Sequence, residues 1–236
     1  MSKTQETQTS WESVLVDGYK MPIIFYNPEN MSAPYTTKNV AESVFQTLTT
    51  EGVSKIALNK FRISIVCASK TTYDEWGVGK EAYVQETDSD ANGFATAINV
   101  HVHFDGSVKS VVALAHELVH VAQYASKRLK SVWNFNKSDW VYSFKLSETN
   151  QIQKGTHSAI AYNERVWEWE AFAKQTYIAS DIYTAITGYG LSGHESRNSS
   201  NASRRITSLR IAAEWGWNDL PLKIVCAVGD ARVCRA

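Results

Sequence analysis

The chain has 236 residues, 44% of them hydrophobic and 20% charged, which is enough for a real core without disulfide or metal staples and too apolar for a disordered chain. Lysine plus arginine equals aspartate plus glutamate at 24 each, so no global field draws in nucleic acid or an anionic membrane surface, and either partner would need a local patch. No stretch reaches the length of a membrane span, and the opening MSKTQETQTS carries no apolar signal region, so no membrane association is expected and the expected location is the cytoplasm.

Val14 to Val16 and Ile23 to Tyr26 are apolar runs on either side of Asp17-Gly18, a turn dipeptide that predicts a hairpin. Between Thr37 and Gly52, the spacing of Val40, Ala41, Val44, Phe45 and Leu48 predicts an amphipathic helix laid on a sheet. Phe61, Ile63, Ile65 and Cys67 alternate with polar residues as a strand does, and residues 69–94 read as loop. A second strand is predicted over 95–104, with Ile98, Val100, Val102 and Phe104 on a dry face and Asn99, His101 and His103 on a wet one. Asp105-Gly106-Ser107 then supplies cap chemistry for a helix from near Val108 to about Lys130. Residues 131–156 read as irregular, and a second strong helix is predicted from Ser158 to Thr184. SGHESRNSSNASR at 192–204 is the low-complexity stretch, a linker by composition. Beyond it a short helix is expected over Ile206 to Trp217.

The chemistry sits in AHELVHVAQ at 115–123. On a helix, residues i and i+4 share a face, so His116 and His120 can present two imidazole nitrogens to one tetrahedral zinc. Glu117 is turned about 100° from His116, beside such a metal and not bound to it, where it can take a proton from water as general base.

A catalytic zinc needs a third protein ligand. Metzincins place a glycine and a histidine where Ala122 and Ser126 stand here, which excludes that class. A glutamate from a following helix is the alternative, and YNERVWEWEAFAKQ at 162–175 offers Glu164, Glu168 and Glu170. In projection Glu170 falls among Val166, Trp167, Ala173 and Tyr177, while Glu168 lies beside Glu164 and Gln175. Glu170 is thus the carboxylate on the apolar face, where a charge must be paired or bind metal, and Glu168 is the second choice.

HELVH with a downstream W-E-x-E-A resembles the gluzincin-type metallopeptidases of bacterial and phage genomes, over residues 95–175. The resemblance implies His116, His120 and Glu170 as zinc ligands and Glu117 as general base. His157 is weighed as a third ligand in a three-histidine site resembling that of SprT-like proteases, against a long interval and a poor KGTHSAI match. His157 or Tyr162 is alternatively a hydrogen-bond donor to the tetrahedral oxyanion.

Other candidates have plainer readings. His101 and His103 share a strand face and could bind metal, but such a pair is more often just the wet face of an edge strand. Gln123 shares the face of the motif histidines and is a candidate for orienting them. Trp133, Trp140, Trp167, Trp169, Trp215 and Trp217 are expected in the core rather than lining a cleft. Arg204, Arg205 and Arg210 read as a solvated face. Cys67, Cys226 and Cys234 are too few and too scattered for a disulfide framework, although the last two are near enough in sequence to pair.

The reading is an α+β, zincin-like protein: a mixed N-terminal sheet, an edge strand over the HExxH helix, and a helical C-terminal lobe. Residues 1–10 are read as a flexible start, 11–190 as the catalytic domain, 191–204 as linker and 205–236 as an extension packed on the domain. The expected activity is hydrolysis of a peptide or protein substrate with Zn2+ as cofactor. A zincin-fold structural or virion component that cuts nothing in trans is one rival. A nucleic-acid-associated module is the other, with zero net charge weighing against it.

Overall fold

The computed structural model describes residues 10–76, 81–146 and 151–188. Alternating apolar residues build a five-stranded mixed sheet in the order β1-β2-β3-β5-β4. The hairpin of β1 (Trp11–Val14) and β2 (Ile23–Tyr26) turns through Gly18, whose φ of 82° is open to glycine at no steric cost. β3 (Arg62–Cys67) and β5 (Ala95–Val102) run parallel to β2, and β4 (Ala82–Ser89) closes the sheet antiparallel to β5.

Two helices cover one face. α1 (Thr37–Thr50) starts in a reciprocal cap between Thr36 and Asn39. α4 (Val108–Ala125) is capped by the Ser107 side chain on the Ser110 N–H. Val44, Leu48, Ile65, Val100, Leu114 and Leu118 meet between these helices and the sheet and are fully buried. Two short helices, α2 (Lys55–Leu58) and α3 (Lys70–Glu75), fill connections. A three-stranded antiparallel sheet follows, formed by β6 (Leu129–Asn134), β7 (Asp139–Lys145) and β8 (Ile152–Thr156). The helix α5 (Val166–Thr187) packs along α4 and against α1.

Several sequence expectations need correction. Residues 69–94 are not loop: they hold α3 and β4. β4 has one flank in solvent and reads AYVQETDS, too polar to show an alternating pattern, and it is held by its pairing to β5. That also makes β4, not the 95–104 strand, the edge of the sheet. The motif helix stops at Ala125, because Lys127 takes a left-handed φ of 58°, and Leu129, which continues the helical apolar spacing, starts β6 instead. The described parts of 131–156 hold the second sheet, so the lobe after α4 is not purely helical. The helix expected from Ser158 begins at Val166 instead and ends on Gly188, whose φ is 73°.

Among the described residues no helix is long and apolar enough to cross a membrane. Cys67 is a buried free thiol, pushed up to about 12 by burial. The expectations for residues 1–9, for 191–204 as linker and 205–236 as extension, and for Cys226, Cys234, Trp215, Trp217, Arg204, Arg205 and Arg210 lie outside the described residues.

Candidate metal centre

The buried side of α4 carries the motif. His116 and His120 project one turn apart into the seam between α4 and α5, with exposures of 9% and 7%, and their rings stand nearly perpendicular at 80°. Across the seam, in the first turn of α5, stands Glu168. The three facing atoms form a near-equilateral triangle: 3.2 Å between the two Nε2 atoms, 3.3 Å from His116 Nε2 to Glu168 Oε2, and 3.4 Å from His120 Nε2 to the same oxygen. Three ligands bonded tetrahedrally to zinc at ~2.0–2.1 Å would stand ~3.3–3.4 Å apart.

The far nitrogen of each imidazole is held by a buried glutamine. His116 Nδ1 meets Gln175 Oε1 at 2.8 Å and His120 Nδ1 meets Gln123 Oε1 at 2.9 Å. Gln123 cannot be turned the other way without loss, because its nitrogen donates to the Trp167 carbonyl, a pure acceptor, at 3.0 Å. Its oxygen must then face His120, so the neutral imidazole of His120 carries its proton on Nδ1 and turns the Nε2 lone pair into the triangle. This division of the two nitrogens is the one a metal-binding histidine requires. The donor set of two imidazoles and one carboxylate fits zinc. Among the described residues the buried Gln175 Nε2 has no partner, a cost accepted while its oxygen faces His116.

The carboxylate at this centre is Glu168, and Glu170 stands elsewhere. The helical projection set Glu170 apart as the glutamate on the apolar face, but both side chains are turned in, 12% exposed for Glu168 and 13% for Glu170, and the charge of Glu170 is met by two cations. Arg128 forms a two-pronged pair with it, and the Lys174 ammonium lies 2.7 Å from its Oε1. Burial pushes the Glu170 carboxyl up, yet Arg128 and Lys174 outweigh that and hold it down at about 2. Arg128 comes from the turn before β6, so no reading of α5 alone could supply it. The signal for Glu168 was its seven-residue spacing from Gln175, a polar stripe on α5 facing the polar stripe of α4.

Of the remaining candidates, Tyr162 is brought to the centre and His157 is not. The Tyr162 hydroxyl donates to Glu168 Oε2 at 3.0 Å, and burial together with the Glu168 charge pushes its pKa up. His157 is exposed, its N–H bonded to the Trp140 carbonyl and its ring tilted against Tyr142 at 5.7 Å. His101 and His103 stack separately on Tyr83 and Tyr73 on the other face of the sheet. Trp167 is core, as expected, but Trp133 and Trp140 are substantially exposed.

Electrostatics within the centre are strongly coupled. Burial pushes the Glu117 carboxyl up, with the two histidines and the Val84 backbone of β4 pulling the other way. Burial lowers His120, but the adjacent Glu168 charge overcomes it and lifts it to about 9. The same pairing holds Glu168 below the ordinary carboxylate range despite its burial. A carboxylate this close to two imidazoles draws positive charge to its side, supplied in the metal-free centre by a proton on His120, and a metal ion bound there would take that proton's place. His116, His120 and Glu168 are the group of histidine, cysteine and acidic side chains that converges in this way among the described residues. No protein-family model, curated protein or solved structure matches the chain.

Proposed function

We propose that this chain is a zinc-dependent peptidase of zincin type, with His116, His120 and Glu168 as the metal ligands. The observation that carries the reading is the triangle of Nε2, Nε2 and Oε2 atoms at tetrahedral-edge spacing, with both outer imidazole nitrogens tied to amide oxygens. Zinc bound there would supply Lewis acidity to a substrate carbonyl and make a neighbouring water easier to deprotonate.

The chain's own residues account for the other steps. Glu117 lies on the same helix as the ligands, turned towards β4, and is 8% exposed. Its carboxyl, raised by burial, is suited to accept a proton from the attacking water and return it to the departing amine. Tyr162 holds a phenolic proton at the mouth of the centre, 3.0 Å from Glu168, where it can donate to the oxygen that becomes negative as the carbonyl carbon turns tetrahedral. Among the described residues no strand pairs with the outer edge of β4, so an extended peptide can add there and lay its backbone beside Glu117, midway along α4.

The test is metal content of wild type, His116→Ala, Glu168→Ala and Glu170→Gln, followed by digestion of a peptide library with Glu117→Gln as control. The expected result is a single zinc per chain, lost in the first two variants and kept in Glu170→Gln, with cleavage abolished by Glu117→Gln. A wild-type protein that stays free of zinc after reconstitution would remove the reading.

A further inference from the structure

The hairpin of β6 and β7 touches both α4, through Tyr124, and β4, through Glu86. Its register pairs Leu129 with Phe144, Ser131 with Tyr142 and Trp133 with Trp140, and alternate residues of a strand share a face, so these six side chains form one surface. Its inner end is core, where Phe144 and Tyr142 pack on Trp167. Its outer end is the edge-to-face pair of Trp133 and Trp140, with ring centres 5.5 Å apart and exposures of 39% and 42%.

Between the two ends, the buried Ser131 hydroxyl takes a hydrogen bond from Tyr124 and donates to Glu86 Oε2 at 2.6 Å. Glu86 belongs to β4, two residues beyond Val84, the residue whose backbone meets Glu117. On a strand that spacing is ~6.6 Å and returns to the same face, so Glu86 lies one side-chain step along the edge strand from the general base.

Glu86 is half-buried, and among the described residues no lysine or arginine forms an ion pair with it. Lys130, whose charge reaches it, gives its ammonium to the Asn92 carbonyl and lies 5.2 Å from the centre of the Phe94 ring. This carboxylate meets Ser131, which on its strand face is one step from Trp133 and its partner Trp140, and it has no cation of its own among the described residues. Burial pushes its carboxyl up, and an arriving positive charge would relieve that cost.

We propose that Glu86, Trp133 and Trp140 form a specificity subsite for a lysine or arginine side chain of the peptide held along β4. The cationic head would pair with the Glu86 carboxylate. Its methylene stem would lie on the indoles, whose faces also attract the charge. The role as a specificity subsite rests on the peptidase reading; the affinity for a cationic side chain does not.

The test therefore has two arms on the full-length protein. In the first, Nα-acetyl-argininamide and Nα-acetyl-norleucinamide are titrated while the indole N–H resonances of Trp133 and Trp140 are followed. The arginine compound should move both resonances at lower concentration than the norleucine compound, and Glu86→Gln should weaken its binding by roughly tenfold or more, the loss of a charge-assisted pair. Glu86→Gln keeps an amide oxygen for Ser131, so the hairpin stays in place. Equal response to both compounds, no response, or no change in Glu86→Gln overturns the proposal.

In the second arm, peptide-library cleavage should show lysine and arginine enriched at one position beside the cut, with the enrichment lost in Glu86→Gln. Cleavage with no basic preference overturns the subsite and leaves the peptidase. Arginine-selective binding in a protein that holds no zinc and cuts nothing overturns the specificity role along with the peptidase reading, while the cation-binding surface stands.

Discussion

The Gln123 side chain joins α4 to α5: its oxygen faces His120 Nδ1 at 2.9 Å while its nitrogen donates to the Trp167 carbonyl at 3.0 Å and reaches Glu170 at 3.3 Å. One amide therefore sets the tautomer of a ligand on α4 and anchors the first turn of α5, where Glu168 stands. Gln123→Ala should lower zinc affinity about 10- to 100-fold, the usual consequence of removing a partner that orients a ligand. Competition with a chromophoric chelator measures it, and unchanged affinity would mean that packing alone orients His120.

Glu168 and Glu170 should separate in their effects. Glu168→Gln should lose metal. Glu170→Gln should keep metal but cost about 3–5 kcal/mol of stability, because Arg128 would be left largely buried without its counter-charge, while Lys174 keeps its pair with Glu51. Zinc analysis beside urea denaturation of both variants distinguishes a ligand from a strut.

Acid should expose the Glu170 contribution. Its carboxyl is held at about 2 against an ordinary 4.5, so the folded state binds this proton less readily than the unfolded chain does. The associated stability, on the order of 3 kcal/mol, is fully present above pH 4.5 and is lost as pH falls from there towards about 2. Urea midpoints of the metal-free protein across this range should fall less steeply in Glu170→Gln than in wild type. Parallel profiles would mean that Glu170 is not the group responsible.

Tyr162→Phe should keep zinc and fold while lowering kcat about 100- to 1000-fold, with KM little changed, if its hydroxyl meets the developing oxyanion. A change in KM alone would instead make Tyr162 a substrate-binding group.

How much was legible depended on whether a signal was local. The motif helix with its histidines, the strand of Ile98, Val100 and Val102, and the first hairpin were readable because i/i+4 spacing, alternation and Asp17-Gly18 act within a few residues. β4 and the second sheet were not, since a half-exposed strand is defined by the partner it finds, and AYVQETDS found β5.

The third member of the triad marks the same boundary. The sequence by itself determined that His116, Glu117 and His120 share a helix and that a buried carboxylate from α5 needed a partner. Only the tertiary structure decided which carboxylate met which partner. Arg128, 42 residues before Glu170, claimed that charge and left Glu168 to face the histidines, and a pairing over that distance in sequence is written only in the packing of α4 against α5.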